Sequence, residues 1–260
     1  MLERVIGCLV DRLTLSRGEN YAVDPDRLEA ALADNYDLVV LVNPNSPTGQ
    51  HVARAALERI LQRAPARTRV WVDETYVEYA NSEHRSPNRR MGELCESLET
   101  FAANSENVVV CKSMSKVYAL SGARVAYLCA GAHQLEDLRA ITPPWVVSLP
   151  AQVAAVRALE APDYYAARYV ETANLREQLA AGLALLGLDV VPGIANFVLT
   201  HLPGDGPAAA AVVKRCREHG LFLRDAGAMG SQLGTHALRI AVKDAQTNQR
   251  MLEIISRALD

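Results

Sequence analysis

Short β-branched runs alternate with amphipathic segments along the first half of the chain. The run DLVVLV (37–42) is continuously apolar, the pattern of a strand buried on both faces, and it stops at the Asn- and Pro-rich turn NPNSPTG. A helix over about 51–63 follows, because Val52, Leu57, Ile60 and Leu61 fall near one face. RVWVDE predicts the next strand, ending at Asp73; MGELCESLETFA (91–102) predicts a helix, and NVVVCKS (107–113) a third strand. ARVAYLCA (123–130) is a further strand whose direction the pattern leaves open. Strands separated by helices predict an α/β fold: a mostly parallel sheet with helices on both faces.

From about Pro150 the texture changes. The segment from there to Gly187 is rich in Ala and Leu and helical over most of its length, with Pro162 breaking it into two pieces. LDVVPGIANFVLT, a helix over 206–219, LFLRD, ALRIAV and a closing helix from about Ala245 follow. These predict a smaller C-terminal α+β domain, so the expected division is a large domain over 1–160 and a small one over 161–260.

Half the residues are hydrophobic and 22% charged, an ordinary globular composition. The formal net charge of -3, without a block of like charges, offers no electrostatic footprint for nucleic acid or an anionic membrane. Cys8, Cys95, Cys111, Cys129 and Cys216 are scattered and odd in number, which argues against disulfides and zinc and for a reducing cytoplasm. VIGCLV near the start is too short for a signal peptide, and no run approaches membrane-spanning length. The six histidines have neither metal-ligand spacing nor a catalytic pairing, so no metal site is expected.

The polar chemistry falls at strand ends. NPNSPTG follows the first strand, Asp73 ends the second, and the hydroxyl-rich turn Ser113–Lys116 follows the third. Ligands of open α/β sheets collect outside the carboxyl ends of parallel strands, so three neighbouring strands would build one pocket from these groups. Each group also has an ordinary reading: Pro-Thr-Gly as a plain turn, Asp73 as a helix cap, Ser113 and Ser115 as turn hydroxyls, Lys116 as a surface lysine.

Order and spacing taken together point further. Pro-Thr-Gly, then Asp-x-x-Tyr at 73–76, Ser-x-x-Lys at 113–116 and Arg124 resemble the class I/II aminotransferases, pyridoxal-phosphate enzymes of fold type I. Within them the chain is most similar to the histidinol-phosphate aminotransferase branch, with threonine-phosphate decarboxylase as a close relative. VWVDETYVEY, SKVYALSGARVAYL, TPPWVVSLPAQVAA, GIANFVL, LFLRDAG and ALRIAV stand in the family's order from about residue 40 to the end.

The resemblance implies pyridoxal 5'-phosphate as cofactor, with Lys116 as its covalent attachment point and the carrier of a proton between substrate and cofactor carbons. It implies that Asp73 pairs with the pyridine nitrogen and Tyr76 donates to the ring's phenolic oxygen. Ser113, Ser115 and Arg124 are implied to hold the phosphate. Arg239 matches the arginine that holds the substrate's acidic group, and Arg224 a second arginine of the phosphate-substrate branch; an ion pair of Arg224 with Asp225 is the plain alternative. Asn196 precedes a strand lining the same region. The implied partners are a small-molecule amino donor and a 2-oxo acid, and the implied assembly is a homodimer.

Two departures accompany the resemblance. The residue before Pro-Thr-Gly, an asparagine in the family, is Ser46 here, with Asn43 and Asn45 shifted from that place. The match also begins well inside the family's usual chain, so sheet edges and apolar surface are expected to be bare. Three functions stay open: an aminotransferase acting on a small phosphorylated amine or amino acid, a decarboxylase of an amino-acid phosphate on the same scaffold, and a non-catalytic binding or dimerising relative.

Overall fold

Two four-stranded sheets carry the chain. The computed structural model describes residues 2–34, 36–83 and 96–259. Asp24 opens α1 (Pro25–Leu32) as its N-cap, accepting the Asp26 and Arg27 amides, and Pro25 sits where its missing N–H costs nothing. Then come β1 (Leu38–Val42), α2 (Arg54–Leu61), β2 (Arg69–Asp73), α3 (Val77–Glu83), α4 (Glu99–Ala103), β3 (Val108–Ser113), α5 (Met114–Val117), β4 (Ala126–Cys129) and α6 (Ala132–Ile141). The sheet order is β1-β2-β3-β4, the first three strands parallel and β4 antiparallel, which settles the direction left open by the pattern.

One face of this sheet is sealed by α1, α2 and α4. Leu28, Leu57, Ile60, Leu98 and Ala102 pack on Val70, Val72, Val108 and Val110, so period-two alternation in β2 and β3 meets helical stripes. Leu38 and Val40 of β1, which has β2 as its only neighbour among the described strands, remain about half exposed, in line with the bare apolar surface and open sheet edge expected above.

The second half begins with α7 (Leu149–Leu159), capped by Ser148, and α8 (Pro162–Leu185), whose first residue is the proline that divides the two. β5 (Asp189–Val191), β6 (Phe197–His201), α9 (Ala209–Glu218), β7 (Arg224–Asp225), β8 (Ala237–Ala241) and α10 (Ala245–Leu259) complete the chain. The sheet β5-β6-β8-β7 is wholly antiparallel. Its one face buries Val198, Leu238 and Ile240 against Leu183, Val212, Cys216 and Ile255 of α8, α9 and α10. The other face buries Leu199 and Ala237 against Tyr21, which stacks on His201 and shares a 2.9 Å hydrogen bond with its Nε2. Among the described residues no helix is long and apolar enough to cross a membrane.

Some elements differ from the sequence pattern. The helix expected over 91–102 begins only at Glu99, because the Leu98 amide and the Ser97 hydroxyl donate to the Glu74 carboxylate instead of entering a helical ladder; residues 91–95 lie outside the described ones. The LFLRD strand pairs only through Arg224 and Asp225. The helices α1 and α6 stand where no element was expected.

The two sheets meet at a glycine contact. A Cβ on Gly49, whose φ is +74°, would lie 3.1 Å from the Gly193 Cα, and the Ile194 amide donates to the Gly49 carbonyl at 3.1 Å. Gly49→Ala must therefore strain a left-handed residue and push two backbones apart. A loss of about 2 kcal/mol in unfolding free energy is expected in urea titrations, against almost none for Gly204→Ala, which meets open space and has no such φ.

Candidate active site

The parallel register brings the polar strand ends together. Val42 pairs with Asp73 and Asp73 with Cys111, so β1 and β2 end level and β3 runs two residues further to Ser113, with neighbouring strands about 4.8 Å apart. The Thr75 amide and hydroxyl donate to Asp73 Oδ1 at 2.9 and 2.6 Å, while Oδ2 has no hydrogen bond among the described residues. Cys111, beside Asp73 on the same face, has its thiol pushed up to about 11 by burial and by that carboxylate, so it stays protonated at neutral pH.

Beyond β3 the chain turns tightly. The Ser113 and Ser115 hydroxyls lie 2.8 Å apart, the Ser121 hydroxyl donates to the Ser115 carbonyl, and Arg124 Nη1 donates to the Ser121 carbonyl at 3.0 Å. Arg124 has a φ of 54°, and its side chain bends back toward the carbonyl three residues before it. Lys116 stands exposed within that turn, and its amine has no hydrogen-bond or ion-pair partner among the described residues. Two hydroxyls paired with each other, a folded-back guanidinium and an open amine fit an anionic ligand with a reactive carbonyl.

The NPNSPTG loop is shaped by Asn43. Its Nδ2 donates to the Val52 carbonyl at 2.9 Å and its Oδ1 accepts the Val52 amide at 2.8 Å. Both ends of that amide are spent inside the loop, which leaves half-buried Ser46 as the polar side chain next to Pro-Thr-Gly.

The second sheet contributes cations. Arg239 of β8 is the register partner of Arg224 of β7, so both side chains leave the same face of the sheet. Arg239 Nη2 donates to the Tyr76 hydroxyl at 3.3 Å, its guanidinium carbon lies 4.0 Å from the Phe197 ring centre, and its Nε is buried without a partner. Tyr76 meets Phe197 edge to face at 5.4 Å. Thus Tyr76, three residues past β2, and Arg239 of the second sheet touch. Among the described residues Arg224 forms no ion pair with Asp225, whose Oδ1 instead accepts the Gly227 amide. Two arginines side by side repel unless an anion lies between them, and Arg239's unused Nε points the same way. Asn196 holds the neighbouring strand, its carbonyl accepting the Val242 amide.

Sequence reasoning missed the charge cluster behind this site. Lys112 is buried, with Glu78, Glu99 and Glu74 carboxylates 2.8, 3.4 and 3.8 Å from its amine. Burial pulls its pKa down, but Glu78, Tyr127, Glu99 and Glu74 together push it up, and it stays charged. The available signal was a lysine inside the apolar run VVVCKS, beside the two glutamates of DETYVE.

The aminotransferase class I and II family model matches residues 4–258, and the chain belongs to that family. It is 32% identical over 234 residues to an aromatic amino acid aminotransferase of Rhodococcus erythropolis, covering 90% of this chain and 59% of that one. It is 28% identical to a histidinol-phosphate aminotransferase of Rhodopseudomonas palustris, covering 93% and 63%. The chain thus spans about three-fifths of the length of these curated relatives. Among solved structures, the histidinol-phosphate aminotransferase from Sinorhizobium meliloti in complex with pyridoxal-5'-phosphate superposes with a TM-score of 0.75 at 27% identity, over 91% of this chain and 60% of that one. A decarboxylase from Sulfurospirillum multivorans superposes with a TM-score of 0.80 at 22% identity, over 98% and 71%. The fold is that of the fold type I pyridoxal-phosphate enzymes.

Glu74 gives the cluster a pH dependence. Burial pushes its pKa from 4.5 up to about 7, outweighing Lys112, the Ser97 hydroxyl and the Leu98 amide, which favour the carboxylate. A folded pKa above the unfolded one makes this contribution complete below about 4.5 and lost as pH rises through about 7. The loss is on the order of 3 kcal/mol at most. Urea unfolding at pH 5 and pH 8 checks this: the fall in stability seen in the wild type is expected to shrink in Glu74→Gln.

Proposed function

We propose that this chain carries the site of a pyridoxal-phosphate-dependent aminotransferase of the histidinol-phosphate type, moving an amino group between a small phosphorylated amine or amino acid and a 2-oxo acid. The observation that carries the reading is the Arg239–Tyr76 contact, which joins the strand-end carboxylate and lysine turn to a pair of register-matched arginines. The bound cofactor supplies a ring that withdraws electrons from the substrate carbon.

Every other part is performed by the chain. Lys116 Nζ, unpaired at the turn, holds the cofactor covalently and, once released, moves a proton to and from the reacting carbon. Asp73 Oδ2 keeps a proton on the ring nitrogen, while Thr75 fixes the carboxylate through Oδ1. Tyr76 accepts from Arg239 and so keeps its own O–H free to donate to the ring oxygen. Ser46 stands where the family's asparagine makes its contact. Ser113, Ser115 and Arg124 bind the cofactor phosphate, the arginine by its planar fork. Arg239 binds the substrate's acidic group, and Arg224, one strand further, takes its phosphate. A cytoplasmic location and a homodimer belong to the same reading, as does a division into domains over 1–160 and 161–260.

Pyridoxal phosphate added to the purified chain is expected to give a visible absorbance band that borohydride bleaches and that Lys116→Ala lacks. Absence of the band at saturating cofactor contradicts the proposal and leaves the non-catalytic reading. With the band present, an oxo product plus an aminated acceptor supports the aminotransferase, whereas carbon dioxide plus an amino alcohol phosphate identifies the decarboxylase. Arg239→Gln is expected to lower kcat/KM by about 100-fold, the loss of one charge-assisted pair, measured by initial rates over a substrate series.

A further inference from the structure

The ends of β2 and β3 are not joined by a turn. The chain leaves β2 at Asp73 and enters β3 at Val108, so nothing covalent fixes the height of Asp73 against the Ser113–Lys116 turn. The backbone ladder closes with the Glu74 amide donating to the Cys111 carbonyl at 2.9 Å. By alternation, Val70, Val72 and Glu74 share one face with Val108, Val110 and Lys112, while Asp73, Cys111 and Ser113 share the other. Glu74 and Lys112 are thus the next rung of the apolar ladder, directly behind the site.

That rung is charged and tied on every side. Lys112 meets Glu78 of α3, Glu99 of α4, and Glu74 after β2, and it is the register partner of Tyr127 in β4, whose hydroxyl donates to Glu99 Oε1 at 2.7 Å. Tyr118 and Cys129 are the next titratable neighbours. Glu74 also accepts from the Ser97 hydroxyl and the Leu98 amide at 2.6 and 2.7 Å. Burying two carboxylates, with half-buried Glu99 as a third, around one ammonium is expensive, and one oxygen, Glu78 Oε2, is left without a partner. A third apolar rung would extend the core at less cost and resist slippage as the valines do, but its contacts have no direction. An ammonium bonded from α3, α4 and the residue after β2 holds each of them at one distance.

We propose that Lys112 is a positioning residue: its buried grip on Glu74, Glu78 and Glu99 sets the span between Asp73 and Lys116 across which the cofactor is held, a role that rests on the aminotransferase reading above. Lys112 touches no reacting atom and acts through the two strand ends.

The test compares wild type, Lys112→Met, Lys112→Arg and Glu78→Gln by amide hydrogen exchange without cofactor and by titration with pyridoxal phosphate. In Lys112→Met, exchange at 74–76 and 113–117 is expected to rise about tenfold while 197–201 and 237–241 keep their protection. Cofactor affinity is expected to fall about tenfold or more, and the pH midpoint of the visible band to move, because the charge behind the site has changed. Lys112→Arg restores all three readouts, which a role in bulk packing does not predict; Glu78→Gln gives an intermediate loss. A folded Lys112→Met with wild-type exchange at both strand ends, or with wild-type affinity and pH midpoint, overturns the proposal. If Lys112→Met does not fold, Glu78→Gln decides on the same readouts. A wild-type chain that gives no visible band overturns the aminotransferase reading and the positioning role with it, whereas a wild-type band left unchanged in Lys112→Met overturns the positioning role alone.

Discussion

The parallel pairing of β2 with β3, in the register that sets Asp73 beside Cys111, is the constraint on which the rest of the site depends. It places a carboxylate and a lysine-bearing turn at adjacent strand ends on one face. On the other face it carries a charged rung that continues the valine ladder. A slip of β2 by one residue would turn that strand over, sending Asp73 toward the helices and Val70 and Val72 out of the core. The packing of those valines under α2 and α4 resists that slip.

A single sheet does not complete the pocket. Arg239 reaches Tyr76 from the antiparallel sheet, and its guanidinium lies over Phe197. The face of the arginine is therefore stabilised by an aromatic ring while its edge is left for hydrogen bonding. The close approach of Gly49 and Gly193 holds the two sheets at that separation, since side chains at either position would force the loops apart. The contact of Tyr76 with Arg239 and the contact of Gly49 with Gly193 thus both tie the two sheets together.

The parts of this arrangement legible in the sequence are those encoded locally. The strands ending at Val42, Asp73 and Ser113 are apolar runs stopped by polar turns, broken only by Lys112 in the third, and Pro162 marks the start of α8 because proline fits only a first helical turn. What escaped depends on distant partners. The direction of β4 is set by pairing along β3, not by its own residues. The non-helical stretch before Glu99 follows from capture of its donors by Glu74, remote in sequence. The helix α6 buries Gln134 in place of an apolar stripe, so periodicity did not announce it. Lys112 reads as an odd lysine in a strand until three carboxylates from other elements are placed around it. Asn43 reads as a plain turn residue until both ends of its amide are found clamping Val52.

The chain has four lysines, Lys112, Lys116, Lys214 and Lys243, and the proposed attachment point is Lys116 alone. Borohydride reduction of the chain in the presence of pyridoxal phosphate, followed by peptide mass spectrometry, reads that assignment directly. One adduct per chain, confined to Lys116, is the predicted result. Labelling distributed over Lys214 and Lys243, with Lys116 unmodified, would contradict the account.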